Sequence, residues 1–314
     1  MPLRTHKVGQ LSVSSLCLGG NVFGWTADAP TSFAVLDAYT EAGGNFLDTA
    51  DTYASWVEGL QGGESETVLG DWLAARGNRD RVVLATKAGG HPRFKGLAPD
   101  TLRAAVDASL ARLRTDYIDL FYTHFDDESV PVEDIMGTLD ELVRAGKIRE
   151  IAASNISPER LRASLAASDR EGLARYVALQ PHYNLVSRDT YEGELSALAA
   201  EAELAVIPYY ALAAGFLTGK YRPDQPVPDS ARSGGAARHL ETERGRRVLR
   251  ELLAVADERN ASPATVALAW LAARPTVTAP LASARTVDQL GPLLALGDLE
   301  LTEEEQERLT RASA

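Results

Sequence analysis

The sequence predicts an α/β fold, a single-domain (β/α)8 TIM barrel spanning residues 1–314. Two observations carry this. Eight short apolar runs alternate with stretches of helical periodicity from end to end, and no low-complexity linker interrupts them over the 314 residues. Near-continuous apolar runs suit a parallel sheet covered on both faces, and eight βα units in this length suit a closed barrel. A doubly wound open sheet is the competing α/β layout, and strand count and length favour the barrel.

In chain order, the segment LRTHKVGQLSVS reads as a small hairpin at the bottom of the barrel. The strands are Ser15–Leu18, Asn45–Leu47, Val82–Thr86, Ile118–Tyr122, Ile148–Ala153, Val177–Gln180, Ala205–Pro208 and Val277–Leu281. Between them, Phe33, Leu36 and Tyr39 are spaced by three. Val68, Leu69, Trp72 and Leu73 share a face before Gly77. Leu102, Val106, Leu110 and Leu113 form a stripe, as do Ile135, Leu139, Leu142 and Val143 before Gly146. Ser157-Pro158 and Ser262-Pro263 are helix-start signals, a capping hydroxyl followed by proline at the first helical position. The run EEEQE near the C-terminus reads as a solvated helix face. Two segments exceed the short-loop rule, Ala54–Gly63 and the Pro-, Gly- and Arg-rich Arg222–His239, and both follow strands.

Composition narrows the class. Apolar residues make up 45% of the chain and charged residues 24%, an ordinary globular balance with ample core. A net charge of −12 argues against a broad nucleic-acid or anionic-membrane surface. The N-terminus is polar and nothing approaches a spanning apolar segment, so a cytoplasmic protein is expected. Cys17 is the only cysteine, which excludes an intramolecular disulfide, and the five histidines show no HxH or HExxH spacing, so no metal is expected. The acidic, Ala- and Arg-rich composition looks like that of a high-GC bacterial source.

In a barrel the chemistry occupies the C-terminal strand ends. There the apolar runs stop, one after another, at groups that donate, accept or titrate: Asp48 and then Tyr53, Lys87, His124, Ser154 with Asn155, Gln180, Tyr209, and finally Ser283 and Arg285. Singly each has an ordinary reading: a turn acid, a packed phenol, a surface lysine, a structural histidine, a helix cap. Together they make a proton donor. A phenol titrates near 10, too high for an efficient acid at neutral pH, and an adjacent ammonium favours its phenolate. A carboxylate would hold the lysine, and the histidine would orient a carbonyl oxygen. No side chain supplies hydride, so a nicotinamide must. GFLTGK is one residue short of a Walker loop, no GxGxxG follows a strand, and no tyrosine has a lysine four residues on. Trp25 and Trp56 sit on loops after the first two strands, where lining a substrate pocket and simple packing are equally open readings.

The ordered pieces FLDTADTY, ATKAG, TDYIDLFYTH, LVRAGKIREIAASN, LQPHYNLVSRD, IPYYALAAGFLTGKY and ASARTVDQL resemble the aldo-keto reductase superfamily over nearly the whole chain, in the branch of the potassium-channel β subunits. The resemblance implies a catalytic tetrad of Asp48, Tyr53, Lys87 and His124. It implies that Ser154, Asn155 and Gln180 bind the nicotinamide carboxamide and that Tyr209 stacks on its ring. The segment carrying Leu212, Gly215, Leu217 and Lys220 would pass over the pyrophosphate, with Ser283, Arg285 and Gln289 towards the adenosine end. Arg285 favours the 2′-phosphate of NADPH (NADP+), with NADH as an alternative. The implied activity is reversible reduction of an aldehyde or ketone, the partner a small-molecule carbonyl compound, with self-association left open. A redox-sensing regulatory subunit that holds the nucleotide with little turnover is the alternative, and a sugar-modifying reductase would share the mechanism. The sequence departs from the family pattern at Ala152-Ala153, where Gly often precedes Ser-Asn, and at Tyr210-Ala211, where Ser-Pro is common. Leu293, where Asn is frequent, bears on the adenine contact.

Overall fold

The computed structural model describes residues 3–222, 225–226 and 233–314. Eight parallel strands form one sheet: Cys17–Gly19 (β1), Phe46–Asp48 (β2), Val83–Ala88 (β3), Ile118–Thr123 (β4), Ile148–Ser154 (β5), Tyr176–Gln180 (β6), Ala205–Val206 (β7) and Leu281–Ala282 (β8). Neighbours follow chain order from β1 to β7, and β8 lies on the far side of β1. The seam closes because Val277 bridges Val206, while the Thr278 and Leu281 N–H groups donate to the Val206 and Pro208 carbonyls at 2.8 and 3.0 Å. The fold is the expected (β/α)8 barrel.

Strand bounds differ from expectation where apolar patterning and hydrogen bonding part ways. The last strand was expected over Val277–Leu281, yet its ladder with β1 spans only Leu281–Ala282. Pro280 has no N–H to give, so regular pairing cannot run through it. Pro208 likewise leaves β7 two residues long instead of four. Conversely, β3 runs on through Lys87 and Ala88, because pairing with β4 continues past the apolar run.

The N-terminal segment forms the expected hairpin, Thr5–Val8 against Leu11–Ser14. Its Val8, Leu11 and Val13 side chains pack with Cys17, Phe46 and Leu120 inside the barrel, so it plugs one end. Around the sheet lie eleven described helices. Those at Ala29–Glu41, Glu64–Arg76 (α2), Pro99–Leu113 (α3) and Val132–Arg144 present the expected apolar stripes. Ser157 and Ser262 cap the helices Pro158–Glu171 and Pro263–Ala272, accepting from Arg160 and Ala264 N–H at 3.2 Å each. The Arg222–His239 loop is corrected in part: Ser233–Glu241 is a helix, with Ala236 buried, while 223–224 and 227–232 lie outside the described residues. The acidic C-terminal run is also not wholly solvated. Glu305 is buried and closes a capping box on Thr302 at the start of the last helix, Glu303–Ala312. Among the described residues no helix is long and apolar enough to cross a membrane.

Candidate active site

At the end of β2 the chain turns sharply. The Thr49 and Asp51 N–H groups donate to the Ala85 and Lys87 carbonyls at 2.9 and 3.0 Å, which extends the pairing with β3. This clamp brings Tyr53 back over the strand ends. Asp48 and Lys87 are fully buried. The Lys87 ammonium donates to Asp48 Oδ1 at 2.5 Å, to the Thr49 carbonyl at 2.7 Å and to Tyr53 Oη at 3.1 Å. The phenol donates to Asp48 Oδ1 at 3.3 Å. One cation is thus saturated by an acid, a carbonyl and a phenol, which answers the cost of burying a lysine at a strand end.

His124 follows β4. Its ring lies 6.2 Å from that of Tyr53, nearly perpendicular, and stacks on Phe125 at 4.5 Å. Burial first, and the Lys87 ammonium second, hold its pKa well below the usual imidazole value, so it is neutral at pH 7. Its Nδ1 is buried without a hydrogen-bond partner among the described residues.

The next strands add a chain of amides and hydroxyls. Gln180, ending β6, gives its amide N–H to Asp48 Oδ2 at 2.9 Å and so joins the tetrad from the side. The Ser154 hydroxyl donates to the Gln180 carbonyl at 2.8 Å. Asn155, held at a left-handed φ of 46°, donates to the His124 carbonyl at 2.8 Å and accepts from Tyr209 Oη at 2.7 Å. Tyr209 stacks on His182 at 5.4 Å.

Beside this lies a cavity of about 340 Å³ lined by residues that include Tyr210, Leu212, Gly215, Lys220, Ser283, Arg285 and Gln289. Ser283 donates to Asn21 Oδ1 at 2.7 Å, and the Arg285 N–H donates to Gln289 Oε1 at 3.1 Å. Neither Lys220 nor Arg285 has an acidic partner among the described residues. Two cations without an acidic partner among the described residues, Lys220 lying over the Tyr221 ring at 5.3 Å, suit the phosphates of a nucleotide in a cavity of this size. Leu217 is placed differently: it is fully buried in the core and does not line the cavity. Of the two tryptophans, Trp56 is 54% exposed and sits edge-on to both Trp25, at 5.7 Å, and Tyr53, at 6.2 Å.

Some residues at the site carried no signal in the sequence. Asn21 and Thr26 also line the cavity, as do Ser262, marked in the sequence as a helix cap, and Leu293, the position noted for the adenine contact. Asp51 and Glu66 are fully buried behind the tetrad. Only an acid inside an apolar helix face, at Glu66 beside Val68 and Leu69, hinted at them.

Comparison with known proteins places the chain in a family. A norsolorinic acid reductase of Emericella nidulans, stcV, is 37% identical over 94% of this chain and 77% of its own length. The oxidoreductase YrpG of Bacillus subtilis is 33% identical over 94% and 90%, and the protein tas of Escherichia coli 31% over 96% and 95%. The sequence profile of the aldo/keto reductase family matches residues 15–314. With strand-end acid, phenol, ammonium and imidazole gathered in one barrel mouth, the chain belongs to the aldo/keto reductase family of carbonyl-reducing oxidoreductases.

Proposed function

We propose that the protein reduces an aldehyde or ketone to an alcohol with NADPH, Tyr53 acting as the general acid. The observation that carries this reading is the single ammonium of Lys87 shared between Asp48 and Tyr53 at 2.5 and 3.1 Å. Lys220 and Arg285 would hold the nucleotide's phosphates, and Tyr209, Asn155 and Ser154, hydrogen-bonded in a chain that reaches Gln180, would meet its nicotinamide end. Bound there, a reduced nicotinamide supplies the hydride. The substrate oxygen lies between Tyr53 Oη and neutral His124, which can donate an N–H to it. As negative charge grows on that oxygen, Tyr53 releases its proton to it, and the Lys87 ammonium stabilises the phenolate left behind. Asp48 keeps Lys87 charged and fixed, and Gln180 braces the second carboxylate oxygen.

The deciding experiment is NADPH consumption with a reactive aromatic aldehyde, with norsolorinic acid included in the substrate panel because relatives are named for it. Tyr53→Phe is expected to lose about 10²–10⁴-fold in kcat, the usual worth of a positioned acid. Equal turnover by the two proteins would sink the assignment.

A further inference from the structure

Behind the tetrad lies a second buried charge cluster that the reaction as described does not use. Asp51, two residues before Tyr53, is fully buried, and neither carboxyl oxygen has a well-aligned hydrogen-bond partner among the described residues, the Thr52 N–H being the one backbone donor near enough to favour its charge. The groups facing it come from α2, α3, β3 and the short ribbon Gly90–His91 against Phe94–Lys95. Glu66, on α2, is also fully buried and accepts from Thr86 Oγ1 and Arg112 Nε, each at 2.6 Å. Arg112, on α3, reaches in past Gly63, where a Cβ would come within 2.5 Å of its Cδ. Lys87, on β3, is engaged by Asp48 at 2.5 Å. His91 packs against Gly62 and accepts the Arg93 N–H at 3.0 Å.

The charges do not balance. Two carboxyls face one available guanidinium, and Glu66 holds it. Burial first and the Glu66 carboxylate second push the Asp51 carboxyl up to about 8. The backbone of this residue matters to the site. Asp51 N–H is bonded to the Lys87 carbonyl, and Thr49 O accepts from Lys87 Nζ, so the turn is fastened to Lys87 at both ends. A charged Asp51 would need water or a cation that the closed turn denies it.

Building on the reductase reading, we propose that Asp51 is a positioning residue: as a neutral acid it lets the 49–53 turn close on Lys87, and its ionisation opens that turn and sets the alkaline limit of the reaction. The carboxyl's folded-state pKa lies above its unfolded value of about 3.9. Folding therefore retains a proton that the unfolded chain gives up, and stability is lost as pH rises from about 4 to about 8 and levels off above.

The test compares wild type with Asp51→Asn. Wild-type kcat is expected to fall about tenfold per pH unit above about 8, while Asp51→Asn matches it at neutral pH and keeps its rate about one pH unit further. The gap in Tm between them should widen from about pH 4 to about pH 8 and then stay constant. Glu66→Gln, which frees Arg112 for Asp51, should flatten the same trend and serves if Asp51→Asn does not fold. Trp56 lies edge-on to Tyr53, so its fluorescence, taken as the difference from Trp56→Phe, should change with the alkaline step in wild type alone. A common alkaline limb in both proteins, or a Tm gap that ignores pH, overturns the inference. Absence of turnover in wild type on every carbonyl substrate strikes the reductase reading alone. The Tm gap and the Trp56 signal then still decide for or against Asp51.

Discussion

The two sides of this barrel mouth are built differently. Strands β3 to β6 run for six, six, seven and five residues, whereas β7 and β8 have two each. The long strands carry Lys87 one residue before the end of β3, lead up to His124, and close on Ser154 and Gln180. After β7 the backbone turns left-handed at Tyr210, Ala213 and Ala214, whereas on the long-strand side the only non-glycine residue to do so after a strand end is Asn155. Proton transfer needs side chains held to a few tenths of an ångström, and a continuous ladder supplies that aim. A cavity for a large anionic ligand instead needs turned-away backbone and uncommitted cations. Substitutions on the first side should therefore strike the chemical step and the fold together, and those on the second should strike nucleotide binding.

The largest effect is expected at Lys87. Lys87→Met leaves Asp48 buried with only Gln180 and Tyr53 as partners. Losing one member of a buried pair costs about 3–5 kcal/mol, and loss of support for the phenolate should lower kcat by at least about 10²-fold. Urea unfolding and NADPH turnover check both. A variant that stays as stable and as fast as wild type would place Lys87 outside the mechanism.

On the other side Arg285→Ala should leave the fold intact. Its guanidinium lines the cavity without an acidic partner among the described residues. A charge-assisted contact to phosphate is worth about 1.5–3 kcal/mol, so NADPH affinity should fall about 10–100-fold while kcat at saturating nucleotide barely moves. Titration of NADPH against NADH sharpens the comparison: an equal loss for both would locate Arg285 at the pyrophosphate instead of the 2′-phosphate.

The same division explains what could be read from the sequence. The positions of Asp48, Lys87 and Gln180 were legible because each closes an apolar run, and that of His124 because it lies just past one; strand alternation fixes where such a residue points. Bounds were less legible where hydrogen bonding departs from hydrophobicity: Lys87 and Ser154 lie inside their strands, and Pro208 and Pro280 cut theirs short. The helix Ser233–Glu241 was hidden by Gly234-Gly235, poor helix formers whose segment is held by tertiary packing, with Ala236 buried and His239 against Phe216 at 5.1 Å. Leu217, read from its place in GFLTGK as part of the loop over the pyrophosphate, has its side chain turned into the core, which the spacing of that motif does not reveal. The Asp51–Glu66–Arg112 cluster draws on a turn and two helices, and neither sequence spacing nor periodicity brings those three together.

The smallest expected effect tests whether the irregular backbone after β7 is strained. Ala214 has φ 55° and ψ 23°, a left-handed conformation in which Cβ crowds the carbonyl at a cost of about 1–2 kcal/mol. Gly215 beside it already takes φ 95° without that cost. Ala214→Gly removes the clash and surrenders about 0.5–1 kcal/mol of chain entropy, so a net gain of up to about 1.5 kcal/mol is expected, seen as a rise in Tm of about 2 °C or less. Ala88→Gly, at the end of β3 where the backbone is extended and the side chain fully buried, should instead lower Tm. Opposite signs at the two alanines would show that the backbone at Ala214 is strained where that at Ala88 is not. A fall in Tm at both would mean that Ala214 gains more from its packing than its backbone costs.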